Sequence, residues 1–363
     1  MQLLYRKAKS KIKYLNERSG HFRTFLFFAS GFSYKKAILL SPLCKQKTGV
    51  VNMAPSQKRR KQMEREQFYE EMKKALMEHK PEEMEVTFIK VDKQNRMGLH
   101  GCTLSMPDAA AAPTFYLEDL YEAYLNGTAV EDIAEGVIEF AKENVCTIIP
   151  NGIDVTDYES VRENLGLTVI DAKTNSEYLE SLVCEFIEGL ALVPIIFIKD
   201  KNSTGCIKIK KDLLTFWGVT ASEVMEEAKE NAPKIMMPTF RAMEDILRED
   251  SCPVSDDLSV PEEAELFVVS NEYFVCGASV VFYPRFLESI GEALGTDFFV
   301  LPSSTNEMLI LRDVGQDPLM LLEIVESVNR TVLNPEEVLA DAVFYYKRRG
   351  GFRKILPMEA ILE

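Results

Sequence analysis

Apolar residues first recur at helical spacing in 64–81, EREQFYEEMKKALMEHKP. Tyr69, Met72 and Leu76 fall on one face and Pro81 closes the pattern, which predicts an amphipathic helix that stops before the proline. Downstream, strand-like and helix-like runs alternate, and one unit recurs: strand, polar turn, strand, helix. It runs through 85–90 (EVTFIK) and 98–106 into a helical 117–125, and again through 193–199 (VPIIFIK), the turn DKNST and 205–210 (GCIKIK). A third copy pairs 266–270 (LFVVS) with 277–283 (GASVVFY), and the last pairs 298–302 (FFVLP) with 308–311 (MLIL) around the turn SSTNE. Residue identity between copies is poor, so this is a repeated supersecondary unit and not a demonstrated duplication.

Helix boundaries carry their own signals. Thr220 and Glu223 have capping-box spacing with Val219 and Val224 as a hydrophobic staple, and Thr128 with Glu131 repeats the box ahead of a helix facing inward through Ile133, Val137, Phe140 and Ala141. Pro284 reads as a first helical position with Gly295 ending that helix, and Asp317-Pro318 and Asn334-Pro335 read as cap-plus-proline starts. Strands paired with their sequence neighbours, with helices between, predict an α+β fold with mixed or antiparallel sheets. The acidic, proline-containing stretch 248–265 (REDSCPVSDDLSVPEEAE) reads as a linker between an N-terminal lobe, 63–247, and a C-terminal lobe, 266–363.

Charge changes the picture at the N-terminus. Residues 1–62 hold 15 Lys and Arg against Glu17 alone, a net +14; the whole chain is −15, which leaves −29 on residues 63–363. The run KRRK at 58–61 has the composition of a nucleic-acid contact. A plainer origin fits it better: Lys58 to Met63 back-translates to a purine-rich AGGAGG ahead of a start codon, and the first helix pattern follows at once. Translation is therefore expected to start at Met63, with Met53 the second choice, and 1–62 is read as a basic extension that is disordered or not natively translated. The apolar cluster 24–32 (TFLFFASGF) is a marginal signal-peptide core with Lys35 and Lys36 directly behind it. No apolar run approaches the roughly 20 residues that span a bilayer, so the expectation is a soluble, cytoplasmic protein without a membrane partner.

Candidate chemistry is sparse. The seven cysteines form no C-x-x-C pair and the three histidines are His21, His79 and His100, so the sequence implies no metal site and no cofactor. Nucleotide-binding glycine fingerprints, the G-x-S-x-G elbow and H-E-x-x-H are absent from the sequence. Cys276, before Gly277, could be a nucleophile if His79 or His100 served it; Cys206 and Cys276 are read instead as buried, reduced, inert strand thiols. The turn Ser303, Ser304, Thr305, Asn306 and Glu307, with Asn271 in the equivalent turn of the preceding unit, holds the candidate ligand- or partner-binding residues, although Ser, Thr and Asn are also ordinary turn formers.

The stretches 113–127 (PTFYLEDLYEAYLNG), 215–233 (TFWGVTASEVMEEAKENAP), 268–284 (VVSNEYFVCGASVVFYP), 298–311 (FFVLPSSTNEMLIL) and 327–346 (SVNRTVLNPEEVLADAVFYY) resemble domain-of-unknown-function family 5688, known from gut Clostridia. The likeness runs over about 63–346 and implies a bacterial, cytoplasmic setting; it brings no activity or catalytic residue. The reading is a non-enzymatic, acidic protein-interaction module whose protein partner presents a basic surface. The alternative is a hydrolase with a carboxylate or cysteine site.

An acidic body repels the phosphate backbone, on which nucleic-acid affinity largely depends. A chain beginning at Met63 should therefore not retain duplex DNA or RNA at physiological salt in a gel-shift assay, and steeply salt-dependent retention would show that a local basic groove exists.

Overall fold

The computed structural model describes residues 63–107, 109, 111–145, 152–199, 204–247 and 265–355. The basic extension, the stretch 248–264, most of the turn after β6 (200–203), and Cys44, Cys146 and Cys252 lie outside them. The fold is α+β, with all sheets antiparallel, and the chain divides into two compact units at residues 152 and 153.

In the first unit the described elements are α1 (Arg65–His79), β1 (Glu85–Lys93), β2 (Arg96–Ser105), β3 (Thr114–Tyr116), α2 (Leu117–Leu125) and α3 (Val130–Glu143). The helix-spaced apolar residues do what their spacing requires: Phe68, Met72 and Leu76 of α1 are fully buried against Ile133, Ala134 and Val137 of α3 and Leu117 and Leu120 of α2. Each such side chain contributes roughly 1.5–3 kcal/mol. Lys80, just before Pro81, ends α1 in an extended conformation. α3 begins where expected, but Thr128 makes no capping box; the N-cap is Ala129, without a side-chain bond. Arg96 clamps Asp119 with two hydrogen bonds of 3.0 and 3.2 Å, fixing β2 to the start of α2. Beside it, the His100 ring nitrogen and backbone N–H both donate to Glu118, at 2.9 and 3.1 Å.

The second unit comprises α4 (Tyr158–Val161), β4 (Leu165–Asp171), α5 (Ser176–Glu180), β5 (Glu185–Ile187), β6 (Leu190–Lys199), β7 (Thr204–Lys208), α6 (Lys211–Trp217), α7 (Ala221–Ile235), β8 (Pro238–Ala242), α8 (Met243–Leu247), β9 (Leu266–Asn271), α9 (Phe286–Leu294), β10 (Phe298–Ser304), β11 (Glu307–Arg312), α10 (Pro318–Thr331), β12 (Val343–Lys347) and β13 (Gly351–Ile355). The capping box at Thr220 is formed in both directions, and Asp317 caps α10 through the Leu319 N–H. Asn334-Pro335 starts only a 3₁₀ turn, and α9 begins after Arg285, so Pro284 lies outside it.

β6 is apolar and buried from Leu190 to Ile198, as a strand covered on both faces must be. β4 pairs along Leu190–Ile196; β5 takes Leu190–Leu192 and β7 takes Ile195–Lys199 on the other edge. Pro194 sits in the gap between these two short strands. Its carbonyl accepts from Ile209 on that edge, so the N–H it lacks would have had no strand to bond.

The second sheet of this unit has six strands in the order β13-β12-β10-β11-β9-β8. β8 pairs with β9 from Pro238↔Asn271 to Ala242↔Phe267. Residues 248–265 therefore do not separate two lobes: the strands on either side belong to one sheet, and the division of the chain falls about a hundred residues earlier. The second correction concerns 277–283. Gly277–Phe282 is a 3₁₀ helix, not a strand. A short apolar run buried on all sides reads alike as strand or helix, and the left-handed residues ahead of it turn the chain out of strand register.

Burial pushes the Glu118 carboxyl up, but the hydrogen bonds from His100 and from backbone N–H groups outweigh it, and the carboxyl sits below its usual range. With the folded value depressed, the stabilisation is present above the unfolded carboxyl value of about 4.3 and is lost as pH falls through the folded value. Urea midpoints should therefore drop on acidification below about pH 4.3, and Glu118→Gln should flatten part of that dependence while costing roughly 1 kcal/mol at pH 7. An unchanged pH profile in the variant would assign the acid sensitivity elsewhere.

Candidate functional site

β9 ends at Asn271, where the chain must turn back inside the protein without a strand partner. Phe274 and Cys276 adopt the left-handed region there, with φ of 53° and 55°. Side-chain-bearing residues hold that conformation only when their surroundings enforce it. Asn271, fully buried, donates from Nδ2 to the Val275 carbonyl at 2.7 Å and accepts from the N–H groups of Tyr273 and Val275 at 3.0 and 3.4 Å. Asn306 holds the other end, accepting the Cys276 N–H on Oδ1 at 3.0 Å. Ser270 donates to the Asn306 carbonyl at 2.7 Å, and the Ala278 N–H donates to the Thr305 carbonyl at 3.3 Å. The Ser279 hydroxyl lies 2.8 Å from the Cys276 carbonyl and 2.9 Å from the Leu167 carbonyl, tying the corner to β4. The two turns meet so closely at Gly277 that a Cβ there would collide with Ser270 Oγ and the Asn306 carbonyl.

The corner delivers the Cys276 side chain to the face of the sheet formed by β4, β6 and β7. Its Sγ lies 3.4 Å from Cys206 Sγ, in an apolar cluster with Ile195, Phe197, Met236 and Val275. Both cysteines are free and buried, with Cys276 8% and Cys206 3% exposed. The hydrogen bond between the two thiols, in which either sulfur can donate, holds the Cys276 thiol below its ordinary range; Thr168 and the Lys208 cation act in the same direction against burial. The same hydrogen bond, with burial, pushes Cys206 well up. Two sulfurs this close titrate as a unit that gives up one proton readily and keeps the second. Elsewhere burial raises the thiols, Cys102 to about 12 and Cys184 in the same direction. Lys208 is half-buried on β7, two residues from Cys206 and on the same face. Burial pulls its ammonium down, but Tyr178, the two cysteines and Glu336 outweigh that, and Lys208 stays charged.

Of the residues marked in the sequence, Asn271 and Asn306 are brought together around Cys276. Ser303 donates to Glu307 at 2.7 Å, Ser304 accepts the Asn306 N–H at 3.1 Å, and Glu307 is buried. Cys206 and Cys276 are buried as expected, but Cys276 belongs to a left-handed corner and not to a strand. The described histidines are engaged within the first unit, His79 donating to the Ala75 carbonyl at 2.8 Å and His100 to Glu118. Lys208, Thr168 and the pairing of Cys206 with Cys276 were missed. The signal available was weak: the C-x-K alternation of β7 places Cys206 and Lys208 on one face, but nothing local brings residue 276 to it.

The family of unknown function DUF5688 matches residues 65–348, and the chain belongs to that family. No curated protein and no solved structure matches the chain. Among the described residues no group of His, Cys, Asp and Glu is placed to hold a metal ion, and no helix is long and apolar enough to cross a membrane.

Gly277→Ala should destabilise the protein by about 3 kcal/mol, because the added methyl meets a backbone carbonyl that cannot move freely. Asn306→Ala, which leaves the Cys276 N–H without its acceptor, should cost about 2 kcal/mol. Denaturant midpoints check both; a neutral Gly277→Ala would mean the two turns are not in contact.

Proposed function

We propose that this member of the family acts as a non-enzymatic module that recognises a protein partner through that partner's basic surface, in a cytoplasmic setting. The observation that carries the reading is the solvent face of α3. Glu131, Glu135 and Glu139 stand four residues apart on it, with Asp132 and Glu143 also exposed and Lys142 the lone exposed base of the helix. Like charges at this spacing destabilise a helix by about 0.2–0.5 kcal/mol per pair, and Glu139 and Glu143 lie toward the negative end of the helix dipole. None of the five carboxylates makes an ion pair with a described lysine or arginine. A stripe that opposes its own helix is understandable if a basic surface neutralises it. The −29 carried by residues 63–363 extends the same attraction to longer range.

The test uses the chain from Met63 and an immobilised lysine-rich peptide as probe, followed by a pull-down from the native host. Association should slow as salt shortens the Debye length toward about 8 Å, with dissociation much less affected. Neutralising Glu131, Glu135 and Glu139 to Gln should slow association more than neutralising Glu82, Glu83 and Glu177, which are equally exposed. Equal effects from the two triple variants would mean that net charge alone acts and that α3 is not a recognition surface.

A further inference from the structure

We infer that Cys276 and Cys206 form a built redox site that reduces a small hydroperoxide and closes a disulfide between the corner and β7. The two sulfurs are already 3.4 Å apart, from residues 70 positions apart in sequence. The corner that presents Cys276 is held in a left-handed conformation by Asn271, Asn306 and Ser279, and it admits no side chain at Gly277. Seventy residues of separation and a backbone of uncommon conformation are a large constraint for two cysteines that merely fill space. A buried cysteine packs well enough as a small hydrophobe in an ordinary strand.

The surroundings supply what the chemistry needs. The Cys206 S–H, the Thr168 hydroxyl and the Lys208 cation all favour negative charge on the Cys276 sulfur. In the first step that thiolate attacks one oxygen of the hydroperoxide. The O–O bond breaks, an S–O bond forms, and the departing alkoxide or hydroxide leaves as an alcohol or water after taking a proton. In the second step the Cys206 sulfur attacks Cys276 Sγ. The S–O bond breaks, the S–S bond forms, and hydroxide leaves as water with the Cys206 proton. Two thiols lose two electrons and the peroxide gains them. Cys276 is buried, which favours an oxidant as small as hydrogen peroxide over a protein disulfide, whose bulk could not reach the sulfur. Lys208 acts as a positioning residue: its cation adds to the bias toward negative charge on the sulfur and takes no part in the bonds.

The full chain, reduced and folded, is treated with hydrogen peroxide and digested without reduction. A peptide linking Cys206 to Cys276 and lighter by two hydrogens is expected, with Cys102 and Cys184 unmodified. The rate should already be near its plateau below the ordinary thiol value of about 8.5, and Lys208→Met should move that profile to higher pH. Cys206→Ser should stop the reaction at a Cys276 sulfenic acid that dimedone traps. Cys276→Ser should slow oxidation of Cys206 by about tenfold or more, since burial still pushes the remaining thiol up. If either variant fails to fold by circular dichroism, the wild-type peptide map and the Lys208→Met profile decide. A linkage that appears only in denaturant, oxidation falling first on Cys102 or Cys184, or a pH profile indifferent to Lys208 each overturns the inference.

Discussion

A chain that reverses direction inside a protein must find a partner for every backbone N–H and C=O it carries inward, because each one left unmet costs about 1–3 kcal/mol. Strands solve this with their neighbours. The segment after β9 has no strand beside it and meets the demand with side chains. Asn271 bonds to both groups of Val275, Asn306 accepts from Cys276, and Ser279 is shared between two carbonyls. The approach of two turns at Gly277, the left-handed φ of Cys276 and the meeting of two thiols all follow from that solution. Polar residues in a loop are usually assigned to solvent or to ligands; here they serve the backbone.

The periodic elements were legible in the sequence because their signals are local. The apolar face of α1, the stop at Pro81, the capping box at Thr220 and the hairpins flanking residues 303–307 each depend on a few neighbouring residues, and each forms as its pattern dictates. Failures came where a distant partner decides. GASVVF has the composition of a buried strand, yet the Thr305 carbonyl accepts its Ala278 N–H, the Leu167 carbonyl accepts its Ser279 hydroxyl, and it winds into a 3₁₀ helix. The acidic stretch 248–265 has the composition of an interdomain linker, yet it joins two strands of one sheet. Thr128 has the spacing of a cap without making one. At the site, the residue types in the two turns drew attention correctly to Asn271 and Asn306, but the thiol they support could not be paired with Cys206 from spacing alone.

Two kinds of chemistry are present, one in each unit. On the solvent face of α3 negative charge acts at a distance and is weakened by salt. The thiol pair is enclosed by Ile195, Phe197 and Met236, where the contact between the sulfurs, with Thr168 and Lys208 adding to it, biases Cys276 against burial.

The six-stranded sheet is laid down almost in the order of its synthesis, with a single exchange that sets β10 between β11 and β12. During translation each strand after β8 except β10 therefore meets an edge that already exists, β10 having to wait for β11, and the first unit is complete before β4 is made. Such short-range assembly is fast. The bond from Ser279 to Leu167, 112 residues apart, is an exception. It closes only after both β4 and the corner have formed, so the meeting of the two sulfurs is a late event in the life of the nascent chain. Until then the two thiols stand apart, each exposed to whatever oxidant surrounds the ribosome.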